Sequence, residues 1–517
     1  QFWASAYPFA FQHTDWLQQN IRTGTPQKYF CMNKPGYIDF LAAYLAASVE
    51  AGIDGFSLDE ATFMNDNYCG CGTCRRKFHD EPGYVLSVDV KPAILLNRDH
   101  PIHNLWVDWK KKCLAEAKAR IIARLHEINP DVMLMYYNTA LYKPNTSHDD
   151  MIEMARNMFI GTEGTKCVFQ THMHFFSQYK IIQGAAQVYG KVGWALYQPA
   201  SADDHVFGGY FSGLMGMPSW LGGSQLKPLY NWKHWERIDY NRQVVADVGI
   251  VLAPGSRGGQ LTRAGLNVES THGWIQSLGE AGIQTQGLPD RLIELEHMMP
   301  YRVIVVPASA NLSDDMCDDL LAYMKQGGNL ILCGISGSHS FHGVPRDPKA
   351  TLYSTLGIRS MSLAQAIEFR YGSIDMLYGG DDRTLTFRNP AIHGAGRTVS
   401  LPESIAYRVE LENPDSAQVE AVIDDDLPAL LSGQYGKGRW LLFSVLPGQI
   451  NFIPRCYPGH VWSRYIKPQV RDLMAAVVRY AAGAPLRVDV RQQDRVLVTA
   501  VDKGANIQIH LLNVEGH

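Results

Sequence analysis

The sequence predicts an α/β chain in three parts: a parallel (β/α) barrel over residues 1–244, N-terminally incomplete; a doubly wound α/β domain with a β insertion over 245–484; and the start of a small β domain over 485–517. Three observations predict it. Through the first half, short apolar runs alternate with amphipathic stretches of helix length, the pattern of parallel βαβ units. From Val245 the texture changes to strands such as DVGIVLA and RVIVV separated by well-capped helices. After Pro485 the segments RVDV and RVLVTAV alternate with the period of a strand.

Trp3 to Phe9 reads as the first visible strand, followed by a loop holding His13, Asp15 and Trp16. Cys31 opens CMNKPGY, where Pro35 suits the first turn of a helix. Ile38 to Glu50 is apolar at helical spacing, and Ile53 to Leu58 is a buried strand that delivers Asp59 and Glu60. Cys69, Cys71 and Cys74 follow at once. Trp106 to Ile128 is a long amphipathic helix ended by Asn129-Pro130, and Val132 to Tyr137 is a strand that delivers Asn138. Met158 to Gly161 is a strand that delivers Glu163, with His172 and His174 just beyond. Ile181 to Tyr189 reads as a short helix, Val192 to Tyr197 as a strand, and Trp232 to Arg242 as a closing helix. That makes about five or six strands before residue 245, fewer than the eight of a full barrel.

In the second domain, Asp247 to Ala253, Arg302 to Val306 and Asn329 to Leu332 are strands. Leu292 to Met299 looks helical, and Ser313 caps a helix running to Lys325 that Gly327-Gly328 stop. Tyr435 to Val445 and the helix Pro468 to Ala482 are assigned to the same sheet, with inserted β structure near residues 340–430.

The bulk numbers exclude several classes. A chain of 517 residues is too long for one small core. A net charge of −4 gives no electrostatic case for nucleic acid or an anionic membrane. No apolar run is long enough to span a bilayer, and no basic-then-apolar leader is visible, so the compartment stays open. Nine cysteines are too few for a disulfide framework, which leaves the cluster at Cys69, Cys71 and Cys74 to explain. Both ends read as cut, each on a strand, and a fragment is expected.

Hydrolysis of a glycosidic bond needs two groups flanking it, one to protonate the leaving oxygen and one to attack or to activate water. Glu60 and Glu163 stand at the ends of different strands, where a parallel barrel presents its catalytic groups. A single strand-end acid can equally cap a helix or bind a lysine. Asp59, adjacent to Glu60, points the other way along a strand, so at most one of the two faces the sugar. His13 and Asp15 form a second acid/base candidate, because histidine titrates near neutrality. Trp3, Tyr7, Trp16, Tyr137, His172, His174, Trp194 and Trp220 lie near strand ends and, with Asn138, are candidates to line a carbohydrate cleft. The C-x-C-x-x-C run supplies three thiolates, and Cys31 is the obvious fourth ligand for a structural zinc. Cys333 reads as a buried thiol, since no nucleophile elbow surrounds it.

YFCMNKPGY, then a helix, a strand ending in an acid pair, and CGCGTCRRKF resemble the family 42 β-galactosidases and their hypothetical glycosyl hydrolase relatives. The resemblance implies zinc on Cys31, Cys69, Cys71 and Cys74, Glu60 as acid/base, and Glu163 as nucleophile. It implies an amidotransferase-like domain over 245–484 that mediates trimers. Motif-level similarity covers about residues 29–78. The Asn-Glu of that family is here Asp59-Glu60. Similar outlines occur in α-L-fucosidases, which would give Asp59 the nucleophile's role, and in family 156 sialidases, whose His/Asp chemistry favours His13 and Asp15. The expectation is therefore an exo-acting glycosidase that removes a terminal galactoside, fucoside or sialoside without a catalytic cofactor, as a homodimer or homotrimer. The alternative is an inactive barrel kept as a carbohydrate-binding or assembly module.

Overall fold

The structure is a computed structural model that describes residues 12–58, 61–63, 65–97, 100–137, 158–164, 172–197, 211–217, 219–221, 243–253, 261–371, 376–394, 396–424, 426–452, 466–491, 496–502, 504 and 506–513. The chain divides into two compact units, Gln1–Glu163 with Gly258–Leu261, and Gly164–Arg257 with Thr262–His517.

The first unit opens with a small antiparallel hairpin, Leu17–Gln19 against Pro26–Phe30. Sequence reading missed it because strands this short and polar carry no alternation. The helix Pro35–Glu50 starts on its proline and buries Tyr37, Ile38, Leu41, Leu45 and Val49 along one face. Three parallel strands follow in spatial order, Gly55–Leu58, Met133–Tyr137 and Phe159–Gly164, as the βαβ pattern requires. The last runs further than expected and contains Glu163 instead of ending before it. The helix Pro101–His126 begins five residues earlier than the apolar pattern suggested, where His100 Nδ1 accepts from Ile102 N at 3.2 Å. It packs against the helix Pro35–Glu50.

In the second unit the parallel strands Trp194–Tyr197 and Ser219–Leu221 follow the helix His172–Gln187. The main feature is a nine-stranded sheet. Its parallel half runs Thr285–Pro289, Val248–Leu252, Val303–Pro307, Asn329–Cys333 and Gly438–Phe443. Strands Val248–Leu252 and Val303–Pro307 are buried at every position, as strands covered on both faces should be. The antiparallel half continues through Leu427–Tyr435, Gln418–Ile423, Asp381–Phe387 and Thr398–Ser404. Much of the expected β insertion is thus the edge of the same sheet. Ile358–Leu363 with Tyr407–Leu411, and Glu368–Tyr371 with Met376–Gly379, form separate pairs.

Among the helices, Asp314–Lys325 is capped as expected, Ser313 Oγ accepting from Met316 N at 3.1 Å. The helix Pro468–Ala482 stops at Gly483, whose φ of 64° suits glycine. The segment expected as a helix over Leu292–Met299 is instead a 3-10 turn, Asp290–Leu292, and a single helical turn, Leu295–Met298. A helix that sequence reading missed, Leu261–Glu280, buries Asn267, Glu269, Ser270, Thr271, His272, Gln276 and Ser277. Every position from 265 to 279 is buried, polar residues interleaved with Leu266, Val268, Trp274, Ile275 and Leu278, so no single apolar stripe marks it.

Two contacts join distant parts of this unit. The helix His172–Gln187 meets the strand Thr285–Pro289 glycine to glycine: a Cβ on Gly184 would lie 1.9 Å from Gly287 O. After Pro485 the chain returns to the start of the sheet, where Val488, Val498 and Ala500 bury Val245. Asp247, itself buried, accepts from Arg487 Nε at 2.7 Å and from the Arg487 backbone N–H. The hairpin Val496–Asp502 and Ile507–Asn513 follows. No helix among the described residues is long and apolar enough to cross a membrane.

Candidate metal centre and active-site strand ends

The hairpin and the loop after the strand Gly55–Leu58 converge on four sulfurs. Cys31 follows the second hairpin strand, while Cys69, Cys71 and Cys74 lie on the loop and the first turn of the helix Gly72–Asp80. All four side chains are buried, and their sulfurs lie within 4.8 Å of one another. Cys31 Sγ is 3.4 Å from Cys74 Sγ and 3.7 Å from Cys71 Sγ. A tetrahedral zinc with bonds of about 2.3 Å spaces its sulfurs about 3.8 Å apart, so the set fits that ion without rearrangement. Burial pushes the Cys31 and Cys74 thiols up, whereas hydrogen bonds from the neighbouring sulfurs, Cys31 first, hold Cys71 far down. Four thiols packed this way share their charge poorly without a cation.

The sulfurs have further partners that sequence reading missed. Gln19 N–H donates to Cys69 Sγ at 3.4 Å, and Asn33 Nδ2 donates to Cys74 Sγ at 3.3 Å. Arg75 ties the loop down, donating to Gly70 O at 2.7 Å, Ser87 Oγ at 2.8 Å and Ile21 O at 3.3 Å. Only the position of Asn33, two residues after Cys31, offered any signal.

Leu58 is the last residue of its strand and is buried. Asp59 and Glu60 come next in the chain and lie outside the described residues, as do Trp3, Tyr7 and Asn138. Leu58 is in register with Tyr136, and Tyr137 with Gly161. Tyr137 therefore ends its strand level with Gly161, and Glu163 stands two positions further along the neighbouring strand. Their backbones alone are described.

His13 precedes a 3-10 turn, Thr14–Trp16, and stacks on Trp16 with ring centroids 4.0 Å apart. Trp16 in turn meets Phe30, Tyr37 and Phe40, so it packs on the helix Pro35–Glu50 in an aromatic cluster and stays partly exposed. Asp15 is exposed on the same turn. His172 and His174 belong to the first turn of the helix that follows the strand Phe159–Gly164 in the sequence. Trp194 begins its strand and is 4% exposed, so it belongs to the packed interior of the second unit and not to a strand's carboxyl end. Trp220 lies within the strand Ser219–Leu221.

Residues 229–453 match the family model of the beta-galactosidase trimerisation domain. The chain resembles the family 42 glycoside hydrolases. Among solved structures, a GH42 beta-galactosidase from G. stearothermophilus, determined as a catalytic mutant, matches with a TM-score of 0.73 at 13% identity, over 99% of this chain and 81% of that one. The beta-galactosidase from Bacillus circulans sp. alkalophilus matches at 0.71 and 12% identity, over 98% and 81%. An alpha-L-fucosidase isoenzyme 2 from Paenibacillus thiaminolyticus matches at 0.62 and 13% identity, over 98% and 75%. No curated protein matches the sequence. The family 42 likeness therefore extends over nearly the whole chain at the level of fold, while the family model covers its sheet-forming second half.

Proposed function

We propose that the protein is an exo-acting glycoside hydrolase that removes a terminal sugar, a β-galactoside first among the candidates, at the strand ends of a (β/α) barrel. The observation that carries the reading is the family 42 likeness over nearly the full chain, together with parallel strands that end at Leu58, directly before Asp59-Glu60 in the sequence, at Tyr137, and at Gly164, one residue past Glu163. Parallel α/β strands deliver their chemistry at their carboxyl ends.

In this reading Glu60 is the general acid that protonates the leaving oxygen, then the base that activates water; Glu163 attacks the anomeric carbon. Asp59 takes the nucleophile's role if the enzyme acts as the fucosidase neighbour does, and the residue pair His13 and Asp15 carries the chemistry of a sialidase. Tyr137, Asn138, Trp3 and Tyr7 line the cleft. Zinc held by Cys31, Cys69, Cys71 and Cys74 would have no open coordination position, so it would pin the loop after Glu60 and take no part in bond cleavage. The domain boundaries at 244/245 and 484/485 and a homotrimer built through residues 229–453 complete the proposal.

A panel of p-nitrophenyl glycosides, β-D-galactoside, α-L-fucoside and a sialoside, tests it. Turnover of the galactoside, reduced about 10²-fold or more by Glu163→Gln and by Glu60→Gln, is the expected result. Sugar binding with no turnover of any member would make the chain a carbohydrate-binding module.

A further inference from the structure

We propose that Lys110 is a positioning residue for the strand-end acids: its buried ammonium grips two backbone carbonyls of the loop that runs from Asp59-Glu60 to the cysteine centre. Its catalytic consequence rests on the glycosidase reading; its grip on the loop stands without it.

Lys110 lies midway along the helix Pro101–His126 and is wholly buried. Its Nζ donates to Asn65 O at 3.1 Å and to Tyr68 O at 2.9 Å. The ammonium also lies 5.0 Å from the centroid of Trp106 and 5.9 Å from that of Phe63, within range of cation–π attraction. The loop it holds is neither helix nor strand, so its carbonyls need partners from elsewhere. Other residues supply single bonds: Gln18 Nε2 donates to Thr62 O at 2.8 Å, Trp106 Nε1 to Asp66 O at 3.1 Å, and Ile21 N to Asn67 O at 2.8 Å. Lys110 supplies two bonds from one charged atom, one on each side of Asp66.

A charge in this place needs a reason. Burying an ammonium is costly unless hydrogen bonds and opposite charge repay it, and a methionine would pack on the same rings without that penalty. Burial draws Lys110 down to about 8, with the Asp66 carboxylate pulling the other way, and the two carbonyl acceptors at 3.1 and 2.9 Å suit the charged form. Charge-assisted bonds to carbonyls are stronger than neutral ones, and here they hold the one segment that links the candidate acids to the sulfurs. A displacement of about 1 Å at a catalytic group can cost about 10²-fold in rate, so a grip on this loop carries to the chemistry.

Lys110→Met and Lys110→Gln in the full chain test the assignment. Each variant is checked by circular dichroism and by zinc content, then assayed with p-nitrophenyl β-D-galactoside and by amide hydrogen exchange. Lys110→Met is expected to lose about tenfold or more in kcat with KM within about threefold, and to exchange faster in peptides covering residues 61–70 while the helix Pro35–Glu50 keeps its protection. Lys110→Gln, a neutral donor, falls between the variant and the wild type. A folded Lys110→Met with wild-type kcat and wild-type exchange in the loop overturns the proposal. Faster exchange spread evenly through the unit overturns it too, since that marks a residue of general stability. If Lys110→Met does not fold, Lys110→Gln decides by the same two readouts. A wild type that cleaves no glycoside of the panel sinks the glycosidase reading, and the exchange measurement still decides whether Lys110 holds the loop.

Discussion

Lys180 shows how much a single buried group can govern. It is wholly enclosed in the second unit, its Nζ 5.4 Å from the centroid of Phe176. In the orientation that satisfies both ends of the Gln284 amide, the oxygen accepts from Lys180 Nζ at 2.9 Å and the nitrogen donates to Val498 O at 2.8 Å. Burial draws this lysine down to about 7. An unfolded lysine titrates near 10.4, so between about 7 and about 10.4 the unfolded chain binds more protons than the folded one. Stability from this group therefore rises with pH across that window, and the full penalty of burying the charge is present below it. Thermal melts of the wild type and of Lys180→Met from pH 6 to 9 should diverge, the wild type gaining on the variant as pH rises. A constant difference would show that Lys180 does not titrate there. The cysteines give the second test at this scale. About one zinc per chain is expected, and Cys71→Ser or exhaustive chelation should lower the melting temperature of the first unit. Metal-free protein at undiminished stability would remove zinc from the structure's account. Those four candidate ligands were legible because three share a short spacing and the fourth lies just before the helix that leads into the same strand. Lys110 and Gln18 were not, since each is an ordinary residue type whose partners lie elsewhere in the chain.

Elements were legible where burial and pattern agree. The strands Gly55–Leu58, Met133–Tyr137, Val248–Leu252 and Val303–Pro307 stand close to where short apolar runs put them. The helix Leu261–Glu280 was invisible because it turns asparagine, threonine and histidine inward: Asn267 bonds Pro307 O and Ser309 Oγ, and Thr271 Oγ1 bonds Val251 O. Polar burial of this kind is decided by tertiary partners, and periodicity does not report it. The pairing of Asp247 with Arg487 belongs to the same class. One carboxylate at the start of the strand Val248–Leu252 anchors a segment that enters the sequence 240 positions later. Asp247→Ala leaves the Arg487 backbone N–H and guanidinium without that acceptor. Loss of about 2–3 kcal/mol is expected, toward the low side of the range for buried pairs because Arg487 is partly exposed. Urea unfolding of the variant measures it, and an unchanged midpoint would show that other contacts hold the segment.

At the scale of the molecule, likeness to solved structures survives at 12–14% identity over nearly the whole chain. Most side chains have changed, so what persists is the order of elements and the layout of sheets. That layout is what alternating strands and helices reveal in sequence. The proposed sugar site rests on side chains at strand ends, and there the residue types alone left Glu60, Asp59 and His13 as rivals. The proposed homotrimer rests on the second half of the chain, where residues 229–453 match the model of a trimerisation domain. Light scattering at micromolar concentration is expected to give three times the 57.8 kDa chain mass. A dimer or a monomer at that concentration would mean that this copy of the domain has lost its partner surface.

Gly184 and Gly287 sit 103 positions apart in the sequence and touch backbone to backbone. A Cβ at Gly287 would also fall 2.5 Å from Ile181 Cα, so neither position has room for even the smallest side chain. For a mutational screen this means two sites with almost no vocabulary. Alanine at either should behave like a large residue elsewhere, and pairing the two changes should not rescue the loss. A ranking of positions by intolerance to substitution would then mistake this contact of two glycines for a functional centre.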